Sequence, residues 1–339
     1  MAGQIFHAPI ISSIENLSLK IIQTSNNASI EIARQRYPNA EIVGSTSELL
    51  IREDLDLIVV ATPNHTHFAL AKAALEADKH VIVEKPFTVT ADEGFELTEI
   101  AKLRGKILTV HHNRRWDGDF LTVSKIIQKG LLGRLVEMEI RYDRYRPFLR
   151  SDTWKEEHLP GTGILYDLGS HLIDQAQTLF GLPESVRADV RTQRLGGKIP
   201  DNFEVVLNYG NLKVTLKAGM LVRQPLPHYT LLGDKGSFIK YGMDVQEEDL
   251  KTGAMPSTRN KWGIEPESQW GEINTEIEGL RLTGKVESEA GDYRSFYNNV
   301  RDAVLKNTPI KVTPTQATNT IKIIELAMRS QKENLLKVE

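Results

Sequence analysis

The sequence predicts an α/β protein in two parts. An N-terminal parallel sheet wound with helices is followed by a C-terminal α+β part built on a large open, mostly antiparallel sheet. Three observations predict this. Between Leu17 and His111, short β-branched apolar runs alternate with helix-like stretches, as in a parallel sheet covered on both faces. From Leu135 onward the runs lengthen and alternate apolar with polar residues, as half-buried antiparallel strands do. Between them, Val81-Ile82-Val83-Glu84-Lys85-Pro86-Phe87 puts one lysine at the carboxyl end of a buried strand, where open α/β sheets hold their ligands.

The elements follow in order. Leu17–Thr24 reads as a strand and Ala28–Tyr37 as a helix stopped by Pro38. Glu41–Val43 is a short strand, and Thr46 or Ser47 caps a helix through Ile51. Leu57–Ala61 is the clearest buried strand; the loop Thr62–Thr66 follows it. Then come the helix His67–Ala77, the strand His80–Glu84, the helix Ala91–Leu103 and the strand Ile107–His111. After the helix Phe120–Lys129 the alternating runs are Leu135–Tyr145, Ser185–Gln193, Phe203–Tyr209, Leu212–Met220, Tyr229–Leu232 and Ser237–Lys240, with a helix around Tyr166–Phe180. Residues 244–290 are polar and glycine-rich and read as loop. The helices Tyr293–Lys306 and Pro314–Glu333 close the chain.

Composition narrows the function. At 339 residues the chain is long enough for two domains and a large core. A formal charge of −3 gives no nucleic-acid or membrane signal. No apolar run approaches a membrane span, and no secretory signal is visible, so the cytoplasm is expected. With no cysteine, thiol and disulfide chemistry are excluded.

A dinucleotide domain opens with a strand, then Gly-x-Gly-x-x-Gly, then a helix. Met1-Ala2-Gly3-Gln4-Ile5-Phe6-His7-Ala8-Pro9 reads as the last part of such a turn and the start of its helix. On that reading the first strand and two glycines are absent from the sequence. Neighbouring strands then lack ladder bonds on one side, and residues 1–339 bind cofactor weakly.

Several residues are candidates for chemistry. By type alone Lys85 is a surface lysine; its place beside Glu84 at a strand end favours a working role, and a cis bond before Pro86 would aim it. In Gly161-Thr162-Gly163-Ile164-Leu165-Tyr166-Asp167-Leu168-Gly169-Ser170-His171, a helix sets Asp167 and His171 one turn apart on one face. That pair is either a helix-surface ion pair or an acid–base site; the flanking glycines, which permit close approach to a ligand, favour the second. Thr62-Pro63-Asn64-His65-Thr66-His67 is placed to border a cofactor. His65 with His67, and His111 with His112, lack metal-ligand spacing, so no metal is expected. In His112-Asn113-Arg114-Arg115-Trp116-Asp117, Asn113 suits a cofactor amide and Arg115 a phosphate or an acid; a capped hinge with solvated arginines is the plain alternative. Tyr142, Arg144, Tyr145 and Arg146 offer groups for a polyol, or alternate faces of an amphipathic strand.

Together these segments resemble the oxidoreductase family named for glucose–fructose oxidoreductase, inositol dehydrogenase and a rhizopine-catabolism protein (Gfo/Idh/MocA). The carriers are Ala61-Thr62-Pro63-Asn64-His65-Thr66-His67, Glu84-Lys85-Pro86-Phe87 and Asp167-Leu168-Gly169-Ser170-His171. The resemblance spans essentially the whole chain. His112–Asp117, Asp143–Pro147, Leu165–Gln175 and Phe238–Gly242 are similar to the subgroup of bacterial NADP-dependent scyllo-inositol dehydrogenases.

The resemblance implies a Rossmann domain over residues 1–117 and a substrate-binding and oligomerisation domain over 118–339, its last helices packed back on the first. It implies hydride transfer between a nicotinamide and a ring carbon of an inositol-like polyol or sugar. His171 matches the family's acid–base group, Lys85 the lysine that bonds the reacting oxygen, and Asp167 the acid that orients substrate and histidine. Gly3, Thr24, Ser25, Thr62, Pro63, Asn64, His67, Glu84, Lys85 and Asn113 fall at the cofactor, and Arg115, Arg144, Tyr145 and Trp154 at the substrate. Thr24-Ser25-Asn26 supplies no acid for the ribose hydroxyls after its strand, which favours NADP; no arginine is adjacent and Arg34 is only a candidate partner, so NAD stays open. A homo-oligomer, dimer or tetramer, is expected because an exposed apolar sheet face is unfavourable. The competing readings are a catalytically silent NAD(P)-binding regulator, a cofactor-defective form of the enzyme, and an enzyme reducing an imine or a tetrapyrrole. Joint presence of Lys85, Asp167 and His171 speaks against the regulator, since a sensor needs no base.

Overall fold

Short parallel strands in the N-terminal part form two separate ladders. The computed structural model describes residues 2–151 and 153–333. In it β1 (Ile21–Gln23) pairs with β2 (Glu41–Val43), while β3 (Leu57–Val60), β4 (His80–Val83) and β5 (Leu108–Val110) make a second sheet in that order. β1 and β3 are not bonded to each other. A cavity of about 620 Å³ lies between them, walled by Leu19, Ile22, Ile58, Val60 and Ala74. β1 is shorter than the predicted Leu17–Thr24 because only three of those residues find ladder partners, all on β2.

Local signals explain the helices. Gly3–His7 forms a π-helical turn that runs into α1 (Ala8–Ile11). Asn26 caps α2 (Asn27–Arg36), accepting from the Ser29 N–H. α3 (Thr46–Leu50) is capped by Ser45 in a reciprocal box with Glu48, one residue before the caps expected from sequence. α4 (His67–Glu76) covers the β3–β4 sheet with Ala71, Ala74 and Leu75. α5 (Ala91–Arg104) starts with the box Thr90–Glu93 and ends at Gly105, whose φ of 61° suits a left-handed stop.

In the C-terminal part, β6 (Leu135–Arg141), β7 (Ser185–Arg191), β8 (Asn202–Tyr209), β9 (Leu212–Gly219), β10 (Tyr229–Gly233), β11 (Gly236–Lys240), β12 (Gly271–Ile277) and β13 (Leu280–Val286) form one eight-stranded sheet in the order β13-β12-β11-β10-β6-β9-β8-β7. Only β6 and β9 run parallel. One face carries buried Met138, Ile140, Leu207, Leu216, Leu231 and Phe238. α6 (Gly118–Gln128) leads into this part, and α7 (Ser170–Phe180) packs beside β9. Over β6, β8 and β9 the opposite face is charged: Lys213 pairs with Glu137, and Lys217 with both Glu139 and Glu204. Leucines stay exposed elsewhere on the sheet, Leu232 on β10 and Leu280 and Leu282 on β13.

Residues 244–290 are also corrected. They contain α8 (Gln246–Lys251) and the hairpin β12–β13, closed by Glu278 and Gly279 at φ 51° and 79°. Both central residues sit at positive φ, the two-residue turn that fits strand twist. The hairpin is exposed on most positions, so it shows no apolar alternation.

α9 (Arg294–Lys306) and α10 (Pro314–Glu333) return to the N-terminal part. α10 buries Ala317, Ile321, Ile324 and Ala327 and packs on α5. Gly94 makes that approach possible: a Cβ there would stand 2.7 Å from Thr318 Oγ1.

Candidate active site

Parallel register builds the site. Val60 lies opposite Val83, and Val83 opposite Val110, so the residues after β3, β4 and β5 emerge along one edge. That edge carries Thr62–Asn64, Glu84–Lys85 and His111–Asn113. The Lys85–Pro86 bond is cis.

Lys85 Nζ donates to Asp167 Oδ1 at 3.1 Å and to the Asp167 carbonyl at 2.8 Å. Asp167 comes from the other part of the chain, on a π-helical turn, Leu165–Gly169, that precedes α7. The simple α-helical spacing expected of Asp167 and His171 is therefore modified, and the carboxylate meets lysine instead of hydrogen-bonding the imidazole. Wider π turns recur at functional sites. Gly161 and Gly163 lead into it at φ 75° and 98°, conformations that favour glycine. Asn64 donates to the Gly161 carbonyl at 2.7 Å and fixes the two parts together.

Electrostatics sort the roles. Burial pushes the Asp167 carboxyl up, but Lys85, Lys155 and Arg144 outweigh it and hold the group ionised, well below the usual range. Burial pushes His171 down, and Lys85, Arg114 and His112 push it further, so its imidazole is neutral at pH 7. His171 Nδ1 is buried with no hydrogen-bond partner among the described residues.

Beneath Lys85 lies a network that no sequence spacing signals. Glu84 Oε1 lies 2.8 Å from His7 Nε2 and 2.8 Å from His111 Nδ1, while Oε2 accepts the Lys85 backbone N–H at 3.0 Å. His7 Nδ1 meets the Tyr297 hydroxyl at 2.5 Å. Burial raises the Glu84 carboxyl, yet the two histidines outweigh it and keep it well below its ordinary value. His7, Glu84 and His111 also bring their ligand atoms within 4.8 Å of one another, close enough to hold a metal. Their hydrogen bonds to one carboxylate oxygen account for the arrangement as it stands.

The remaining candidates divide. Gly3, Thr24 and Thr62 line one cavity, and a Cβ at Gly3 would meet nothing within 4 Å, so the backbone there is open to close approach. Ser25 follows Thr24 with its neighbour Asn26 engaged in the helix cap. Pro63 begins the turn that carries Asn64. Asn113 is buried, and its amide makes no hydrogen bond among the described residues. These features fit a nicotinamide dinucleotide lying across the strand ends. His67 is wholly buried, with Nδ1 2.8 Å from the Pro86 carbonyl oxygen and Nε2 2.9 Å from that of Thr62. It holds two strand-end loops together, and any role at a cofactor is through them.

Two of the substrate candidates are engaged with other side chains. The Arg115 guanidinium is buried in a fork with Asp174 at 2.7 and 2.8 Å and also donates to the Lys311 carbonyl, so it has no free donor face. Tyr145 is not among the residues lining the cavity beside Asp167, and its ring lies under the Arg223 guanidinium at 4.7 Å. Arg144 and Trp154 do line a cavity of about 100 Å³ beside Asp167, joined by Arg146, Lys155 and Arg194.

A nucleotide edge joined to a Lys–Asp–His cluster defines a nicotinamide-dependent oxidoreductase. Residues 1–112 match the profile described as "Oxidoreductase family, NAD-binding Rossmann fold", and residues 124–339 the one described as "Oxidoreductase family, C-terminal alpha/beta domain". The chain is 40% identical to the uncharacterized oxidoreductase YdgJ of Escherichia coli, over 98% of this chain and 94% of that protein. It is 37% identical to the scyllo-inositol 2-dehydrogenase (NADP(+)) IolW of Bacillus subtilis, over 98% of this chain and 92% of that one. The solved structure of yvaA from Bacillus subtilis superposes with a TM-score of 0.94 at 36% identity, covering 100% of this chain and 95% of that chain. The chain belongs to the Gfo/Idh/MocA oxidoreductase family and is an NAD(P)-dependent dehydrogenase. Among the described residues no helix is long and apolar enough to cross a membrane.

Proposed function

We propose that the protein interconverts a ring alcohol and ketone of a cyclic polyol or sugar, inositol-like in class, with NADP(H). The carrying observation is a neutral His171 beside a lysine ammonium that Asp167 holds in place. A nicotinamide bound at the strand ends supplies the hydride exchange. Oxidation builds positive character at the carbon unless the hydroxyl proton departs as well. His171 is neutral and takes that proton. Lys85 donates a hydrogen bond to the same oxygen and stabilises charge as it develops. Asp167 keeps the ammonium aimed, and Arg144 and Trp154 shape the substrate's side of the cavity.

The relative named as an NADP(+) enzyme and the absence of an acid in Thr24-Ser25-Asn26 support NADP over NAD. Residues 1–117 carry the cofactor and 118–339 the substrate. Exposed Leu280, Leu282 and Leu232 on the large sheet support assembly of copies, as a dimer or tetramer. The cytoplasm is the expected compartment. The test is reduced-nicotinamide absorbance with NADP⁺ or NAD⁺ and a panel of inositols and aldoses, for the native chain and His171→Ala. Turnover lost in the variant, with NADP still bound, supports the reading. Unchanged turnover removes His171 from the mechanism, and NADP binding without turnover on any member moves the reading to a binding-only regulator.

A further inference from the structure

The small cavity beside Asp167 holds more positive charge than its own carboxylates neutralise. Its cationic lining is Arg144, Arg146, Arg150, Lys155 and Arg194; its acids are Glu156, Asp167 and Asp201. Arg194 takes two of the acids, with Nη2 2.8 Å from Glu156 Oε2 and Nε 2.8 Å from Asp201 Oδ2. Asp167 is shared by Lys85 and Lys155. No carboxylate lies in ion-pair contact with Arg144, Arg146 or Arg150 among the described residues. Arg144 rests over the Tyr142 ring at 5.2 Å.

This crowding is built into the backbone. Arg144 and Arg146 stand two residues apart, and their N–H groups donate to the Gly219 and Met220 carbonyls at 2.8 and 2.7 Å. Side chains two apart on such a segment leave from one face. Burial pushes the Arg146 guanidinium down, and Arg144 and Arg150 push it further; Asp167 and Tyr142 offset only part of this. Like charges held side by side cost free energy unless an anion joins them. Planar guanidinium forks match carboxylate and phosphate oxygens. A volume of about 100 Å³ suits one such group.

We infer that the substrate is an anionic cyclic polyol or sugar, whose carboxylate or phosphate group sits among Arg144, Arg146 and Arg150 while its reacting carbon faces Lys85 and His171. This rests on the dehydrogenase reading above and narrows its substrate class. A neutral ring leaves the three guanidinium groups without an oxyanion.

The experiment compares matched ligands: glucose, glucuronate and glucose 6-phosphate, and myo-inositol with its monophosphate. For each, kcat/KM with NADP⁺ is measured, and binding is titrated by calorimetry with NADPH present. The native protein, Arg146→Gln and Arg146→Lys are compared, with thermal midpoints confirming that each variant is folded. The expected result is at least a tenfold preference for an anionic member over its neutral twin, residing in KM and weakened by salt. Arg146→Gln removes most of that preference, and Arg146→Lys keeps part of it. The order of glucuronate and glucose 6-phosphate tells carboxylate from phosphate. Equal or better use of the neutral twins, with a ratio that Arg146→Gln leaves alone, overturns the inference while the dehydrogenase reading stands. If no ligand is turned over, the cyclic polyol and sugar reading fails, and calorimetry still decides: binding of anionic over neutral sugars that depends on Arg146 supports the anion site, and its absence overturns it.

Discussion

Glu84 and Asp167 are both carboxylates held ionised within reach of Lys85, yet their surroundings are opposite. Glu84 is buried beneath the lysine between two histidines, and its second oxygen takes the backbone N–H of Lys85 itself. Asp167 stands at the cavity, half-buried, between two lysine ammonium groups. The lower carboxylate fixes where the chain lies. The upper one fixes where the ammonium points, and it meets whatever enters the cavity. A closed floor and an open rim thus divide positioning from chemistry around a single side chain.

The sharpest way to break that division is at the rim. His171→Ala is expected to lower kcat by about 10²–10⁴-fold, the usual span for a general base, with the urea midpoint little changed. A comparable loss of stability would make His171 part of the floor. Second in size is the floor itself. Glu84→Ala leaves buried His7 and His111 without their acceptor and should cost roughly 2–4 kcal/mol in chemical denaturation. If stability holds and only turnover falls, Glu84 belongs to the chemistry.

Acid sharpens the contrast further. Burial lowers His112 to about 4 and His228 to about 3, and lowers His171 as well. The unfolded chain takes up these protons near pH 6.5 and the native one does not, so the stability is fully present above that pH and is lost as pH falls towards 4. Each such histidine contributes a slope of roughly 1.4 kcal/mol per pH unit in that window. Urea midpoints between pH 7 and 5 measure it; a flat profile would show that these imidazoles are charged in the native state. The smallest effect is expected at Lys155→Gln. That lysine is half-exposed, 3.4 Å from Asp167 Oδ1, and exposed pairs contribute roughly 0–1 kcal/mol, so kcat/KM should shift by less than about fivefold. A larger fall would mean that Lys155, not Lys85, aims the carboxylate.

What the sequence revealed follows how local each signal is. Lys85 was legible because a β-branched run ends just before it, and Asp167 with His171 because glycines and spacing mark the segment. The Glu84 network was not: its partners are 77 and 27 residues away, and Tyr297 lies 290 residues from His7. The Arg115–Asp174 fork was not legible, because Asp174 sits 59 residues on, inside the helix predicted around Tyr166–Phe180. The β12–β13 hairpin escaped because both its faces are largely wet, and patterning reports burial, not hydrogen bonding.

The two unjoined parallel ladders set how the molecule opens. β1–β2 is held by three residue pairs, whereas β4 is flanked on both sides and lies in the core. With so few pairs to lose, the smaller ladder is expected to exchange its amides with solvent through local openings below the global unfolding free energy. Thr24 and Ser25 ride on that ladder. Contacts made through Thr24 and Ser25 are therefore expected to be renewed more often than those made at Lys85, whose strand has partners on both sides.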